Sequence, residues 1–395
     1  MQGKAGSSTR VVFAAGPGNV IQAHRHWRAG VADPSQMSST FSGEFADFCR
    51  DGGVQAYLIA AWSPPQRLVD GEFVIEHRPK QSARGVRYHL EEIRYGLGML
   101  ASAIAFRADY FILQSGMTHF FILPLFSLFS IKVIPVLHNT LWPAGYPPRS
   151  LVQRLILRAD AVFFRIFADA IICVSSECYR QIVAVTGGRS NRVFTMLPQF
   201  DRELFGLTPA PPHSLPLRLL YAGRVVRSKG VFDLLEIVEA VERRRPGVVK
   251  LRICGDGPDL PELRRKCEEL QLSNLVEVEG RVEPAALRKL LIESHAAIVP
   301  TRSDFAEGLA MSAIEPILLG RPIITNPVVP ALESVREAAV VAKTNDVGSY
   351  VDGILELVQS PAMYDRLVSA TATIREQFFD PERSFRNSLK RAILD

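Results

Sequence analysis

Residues 219–230 read LLYAGRVVRSKG, and this stretch decides the class of fold. An apolar run of strand length meets a glycine turn, presents Arg224 and Lys229, and opens into a helix. The apolar positions Val231, Leu234, Leu235, Val238 and Val241 of that helix keep helical spacing. Strand, turn and helix in this order form the repeating unit of a parallel α/β domain. Two fixed cations at the carboxyl end of a strand suit a phosphate ester, because preorganised positive charge stabilises a departing diphosphate. The plainer reading, a pair of surface cations, is weakened by their place in the loop, where sites concentrate.

Outward from that stretch the same alternation runs through the chain. Apolar segments at 11–15, 54–60, 110–113, 133–137 and 170–174 predict strands in the first half, and 217–221, 249–254, 275–278, 296–299 and 322–325 predict strands in the second. A long connection, Pro17 to Ser38, separates the first strand from a helix expected over Thr40 to Arg50, and its length suggests part of a lid. Between the halves lies the proline-rich GLTPAPPHSLP, Gly206 to Pro216, a semi-rigid connector. The expected fold is α/β with two Rossmann-like, doubly wound parallel-sheet domains, residues 1–206 and 207–380, facing a cleft. Residues 381–395 form a final helix. A ligand belongs in that cleft, at the carboxyl ends of the strands.

A second motif is EGLAMSAIE, Glu307 to Glu315, which follows the apolar run Ala296 to Pro300. Glu307 and Gly308 stand where a strand hands over to a helix, and free backbone N–H groups there make an anion site. Were the whole segment helical, the two carboxylates would lie roughly 12 Å apart, one at each end of a bound diphosphate compound. An amphipathic core helix with two solvated acids is the competing reading.

Together these residues resemble the family 4 retaining glycosyltransferases of the two-domain GT-B fold, most strongly from Leu217 to Tyr350. The resemblance implies that Arg224 and Lys229 hold the donor diphosphate, that Glu307 contacts sugar hydroxyls, and that Glu315 holds the nucleotide ribose. Gly308, Leu309 and Ala310 complete the donor motif. His138, in VIPVLHN, would face the donor sugar, and Gly16 and Gly18, in AAGPGN, would approach the phosphates from the first domain. The family usually reads EGFG, so Ala310 replaces a glycine; Pro316 follows the second glutamate where alanine is common. LPQFDRELF keeps Asp201 and Phe205 but lacks an Asn-Gly turn.

The activity implied is retaining transfer from a nucleoside-diphosphate sugar, UDP- or GDP-linked, to a hydroxyl of a glycan, glycolipid or small molecule. It calls for no cofactor and no metal; two cations already meet the phosphates, and no Asp-x-Asp motif occurs. The alternative is a non-catalytic nucleotide-sugar sensor or scaffold. A dinucleotide-dependent oxidoreductase fits poorly, since the first loop reads GPGNVI with Ile21 at the third glycine position.

Composition agrees. At 395 residues the chain exceeds what one hydrophobic core supports, and 47% hydrophobic residues suffice for two. Five scattered cysteines without metal spacing read as reduced, buried thiols and a cytoplasmic setting. MQGKAGSSTR, the first ten residues, lacks the apolar core of a signal peptide. A net charge of +5 selects no partner by itself, and Arg243, Arg244 and Arg245 read as a helix end, with no nucleic-acid signature. Phe111 to Ser130 carries no formal charge, but Gly116, His119 and Pro124 interrupt it, which favours buried structure over a membrane span. Arg149 to Arg165 mixes four arginines with Leu, Ile and Phe and admits peripheral contact with the inner face of a membrane. Asp160 and Asp169 dilute that pattern, and internal helix packing competes with it. His24 and His26 read as solvated loop residues.

Overall fold

A computed structural model describes residues 8–81, 83–189, 192–206 and 208–394. The reading of the amino-terminal stretch falls largely on residues 1–7, which lie outside the described residues, as do Leu207 of the connector and Asp395.

The first domain is built on eight strands: β1 (Arg10–Gly16), β2 (Gln55–Ala60), β3 (Gln66–Asp70), β4 (Phe73–His77), β5 (Tyr110–Ser115), β6 (Lys132–Leu137), β7 (Ile171–Cys173) and β8 (Val193–Thr195). Their order is β3-β4-β2-β1-β5-β6-β7-β8, parallel except for the β3–β4 pair at one edge. Val11, Val12 and Phe13 of β1 are all fully buried, which requires cover on both faces of the sheet and explains why the strand is apolar without alternation. The second domain holds β9 (Leu217–Ala222), β10 (Val249–Cys254), β11 (Val276–Gly280), β12 (Ala296–Val299), β13 (Ile323–Thr325) and β14 (Ala339–Val341), in the order β11-β10-β9-β12-β13-β14 and wholly parallel. Direction of winding reverses between β9 and β12, and that is where an open α/β sheet leaves a crevice.

All ten segments expected as strands are strands, within a residue or two at each end. Four others, β3, β4, β8 and β14, were not expected; each has five residues or fewer, too few for a period to show.

One expectation is corrected. The connection from Pro17 to Ser38 is not a long loop, because a helix, Val20–Arg28, starts directly after β1 with the Asn19 side chain capping Gln22 N. Its polar outer face, with Arg25, His26 and Arg28, obscured a helix whose buried side is only Val20, Ile21, Ala23 and His24. His24 is buried and bonds to Asp70 at 2.9 Å, and Arg28 pairs with the same carboxylate at 2.7 Å, so the solvated reading of His24 fails.

All five cysteines are free and buried. Among the described residues no helix is long and apolar enough to cross a membrane; Phe111 to Ser130 forms β5, turns and the short helix Pro124–Ser127. The chain ends in a helix, Phe385–Ile393, that packs on Phe41–Gly52 of the first domain, where Arg386 N donates to Glu44 at 3.0 Å.

Candidate active site

The loops after β9 and β12 flank the point where winding reverses. Between them the chain passes Lys229 and then Gly230, whose φ of +74 opens the helix Val231–Arg244. A Cβ on Gly230 would lie 2.1 Å from the Pro300 carbonyl oxygen, so only glycine lets the two loops close on one another. Arg302 braces the contact by pairing with Asp233 of that helix at 2.7 Å.

This closure sets two cations around one ring and an acid beside one of them. The Lys229 Nζ lies 4.3 Å from the centroid of Phe305, and the Arg224 guanidinium carbon lies 5.3 Å from it. Lys229 is ion-paired with Glu307; the two side chains are 12% and 10% exposed. Burying a charged pair is costly, and each of these side chains is the other's charge partner. Arg224, Lys229 and Glu307 thus share one place.

The motif that follows is only partly helical. The helix covers Met311–Leu318, so Glu307 and Gly308 precede it as an extended lead-in, and the expected 12 Å span along one helix does not apply. Ala310 sits at φ +76, a backbone state that glycine adopts freely and alanine adopts under strain. Leu309 and Ala310 are both buried. Pro316 falls inside the helix.

Gly308 is the seam between the domains. A Cβ there would stand 1.7 Å from the carbonyl oxygen of His138, and Thr140 Oγ1 donates to the Glu307 carbonyl at 3.1 Å. His138 stacks edge-on against Phe41, with centroids 4.5 Å apart, and its Nε2 is buried without a hydrogen-bond partner. Burial lowers its pKa to about 4, so the ring is neutral at pH 7. Gly16 also has positive φ, +80, and abuts Ser115 where β1 meets β5, whereas Gly18 faces open space.

Glu315 stands apart from the Lys229–Glu307 pair. It lines a cavity of about 310 Å³ together with Ser35 and Met37 from the first domain and Arg281, Val282 and Leu287 after β11. Burial pushes its carboxyl up to about 8. The lining residues of this cavity were missed by sequence reasoning, although Arg281 and Val282 follow a strand and so obey the rule that located the others.

Residues 213–373 match the family described as glycosyl transferases group 1. Glycogen synthase of Mycobacterium tuberculosis is 23% identical over 215 residues, 54% of this chain and 51% of that protein, so the chain spans about half the length of the curated relatives it first matches. Two solved structures align along nearly all of both chains. Sucrose-phosphate synthase from Thermosynechococcus elongatus has a TM-score of 0.70 at 15% identity, with 98% of each chain covered. HepE of Anabaena in complex with UDP has 0.66 at 15% identity, again with 98% of each covered. The second domain therefore belongs to the glycosyl transferases of group 1, and the chain as a whole has the GT-B fold.

Proposed function

We propose that the chain is a retaining glycosyltransferase that moves a sugar from a nucleoside diphosphate to a hydroxyl acceptor in glycan, polysaccharide or glycolipid synthesis. The observation that carries this reading is the convergence of Arg224 and Lys229 around Phe305, with Glu307 beside Lys229, at the reversal point of the second sheet. The diphosphate would lie against the two cations, and the nucleoside would fill the cavity beside Glu315. HepE, which shares the fold, is known in complex with UDP.

In that placement Glu307 accepts hydrogen bonds from sugar hydroxyls when the diphosphate takes over as partner of Lys229. His138, neutral and with an unpaired Nε2, adds a hydrogen bond without adding charge. As the bond from anomeric carbon to phosphate oxygen breaks, negative charge grows on the leaving oxygen, where Arg224 and Lys229 stabilise it. The acceptor oxygen attacks the same face of the sugar and passes its proton to that leaving oxygen, so no side-chain nucleophile is needed and the anomeric configuration is kept.

Two measurements test the reading. Thermal shift against UDP, GDP, ADP and their common sugars should raise the melting temperature for one nucleotide class, since a ligand that binds only the folded state stabilises it. Proton NMR of the first product formed should show the donor's anomeric configuration. An inverted product excludes the retaining mechanism, and no shift with any nucleotide excludes the donor class.

A further inference from the structure

The helix Leu151–Val162 lies on the outside of the first domain with its apolar residues turned to solvent. Leu151 is 74% exposed, Leu155 61% and Ile166, in the turn that follows, 65%. At about 100° per residue, Leu151, Leu155, Val162, Ala159 and Val152 fall within an arc of roughly 100°. Arg158 and Arg154 run along one flank of that arc. Asp160 lies on the opposite side, buried, where it accepts a hydrogen bond from Phe121 N at 2.8 Å.

The second acid of the segment is also occupied, because Asp169 pairs with Lys132 at 3.5 Å and Arg192 at 3.7 Å. Neither carboxylate therefore dilutes the exposed face, and Arg149, Arg154, Arg158 and Arg165 have no ion-pair partner among the described residues. The apolar surface extends beyond the helix. The turn Phe163–Phe167 packs against the short helix Pro124–Ser127, next to which Leu128 (75% exposed) and Phe129 also face solvent. A soluble domain seldom exposes so many large apolar side chains in one region, and an apolar stripe flanked by unpaired arginines matches a surface that offers hydrocarbon below and negative charge above.

We propose that this face, from Leu151 through Ile166 with Leu128 and Phe129 beside it, docks on the surface of an anionic lipid bilayer. Charge complementarity selects that occupant over an apolar protein groove, since the arginines meet lipid phosphates while the leucines enter the acyl boundary. The helix belongs to the connection between β6 and β7 that also carries His138, so docking would hold the cleft close to the bilayer. The inference stands independently of the proposed reaction.

The test is flotation of the full chain with phosphatidylcholine vesicles, with and without phosphatidylglycerol. The native chain should float with the anionic vesicles only, and binding should fall as salt is raised. Arg154→Glu with Arg158→Glu should weaken that binding by on the order of tenfold or more, and Leu151→Glu with Leu155→Glu should abolish it. Both pairs are exposed, so unchanged melting curves would verify that the fold is intact. Equal binding to neutral vesicles, binding unaffected by either pair, or a concentration-dependent dimer that Leu151→Glu dissociates would each overturn the proposal, the last by identifying a second copy as the occupant.

Discussion

The two walls of the cleft are built on opposite principles. On the second-domain side, backbone presses on backbone: Gly230 meets Pro300, and Arg224 and Lys229 gather on one ring with Glu307 beside Lys229. On the first-domain side, Gly18 faces open space, and His138 offers a neutral ring with an unpaired nitrogen. On the proposed function, the second-domain wall would meet the charged diphosphate and the first-domain wall the acceptor.

Lys229→Ala is the sharpest way to break this contrast. With its cation gone, the growing charge on the leaving group loses a fixed partner, and turnover should fall on the order of a hundredfold, far more than the drop in melting temperature that follows from leaving Glu307 without its partner explains. Steady-state kinetics alongside a thermal melt would separate the two effects, and near-native turnover would count against that role for the second-domain wall.

Glycine substitutions test packing on the two sides. Gly230→Ala forces a Cβ against the Pro300 oxygen at a residue with φ +74, and should cost roughly 2–4 kcal/mol in a urea titration. Gly18→Ala meets nothing within 4 Å and should stay within about 0.5 kcal/mol of the native chain. Comparable losses at both positions would erase the distinction.

Glu315 sharpens the comparison through pH. Burial raises its folded pKa to about 8, well above the value of an unfolded glutamate, so the folded chain holds a proton there that the unfolded chain has released. The stability linked to that proton is fully present below about pH 4.5 and is lost as pH rises through 8. Across that window the melting temperature of Glu315→Gln should fall less steeply than that of the native chain. His138, whose folded pKa is lowered to about 4, acts in the opposite direction at lower pH: its contribution to stability rises with pH from about 4 and levels off above about 6.5, where the unfolded imidazole loses its proton. A small effect of opposite sign is expected at Ala310→Gly, where relief of φ +76 should stabilise the fold by about 0.5–1 kcal/mol, measurable as a small rise in urea midpoint.

What the sequence disclosed follows the same division. Buried parallel strands are unbroken apolar runs, so β1, β9 and β12 announce themselves, and chemistry at a strand's carboxyl end is read from the residues that follow. Arg224, Lys229 and Glu307 were legible for that reason. The edge strand β3 and its neighbour β4 were not: β3 has no fully buried residue, and its register comes only from pairing with β4. The helix Val20–Arg28 was hidden because too few of its residues face the core to show a period. Ser35 and Met37 fell within the segment expected to form part of a lid, but their place beside Glu315 could not be read, since what brings them there is the docking of one domain on the other. The arginines of 149–165 raised a membrane question that the sequence left open; the burial of Asp160 was the missing fact.

The contact at Gly308 has a kinetic consequence. At this point the two backbones leave no room for a side chain between the lobes. On the proposed reaction, parting of the lobes would have to separate Thr140 from the Glu307 carbonyl. If release of nucleotide follows that motion, solvent viscosity should slow turnover even when the bond-breaking step is fast.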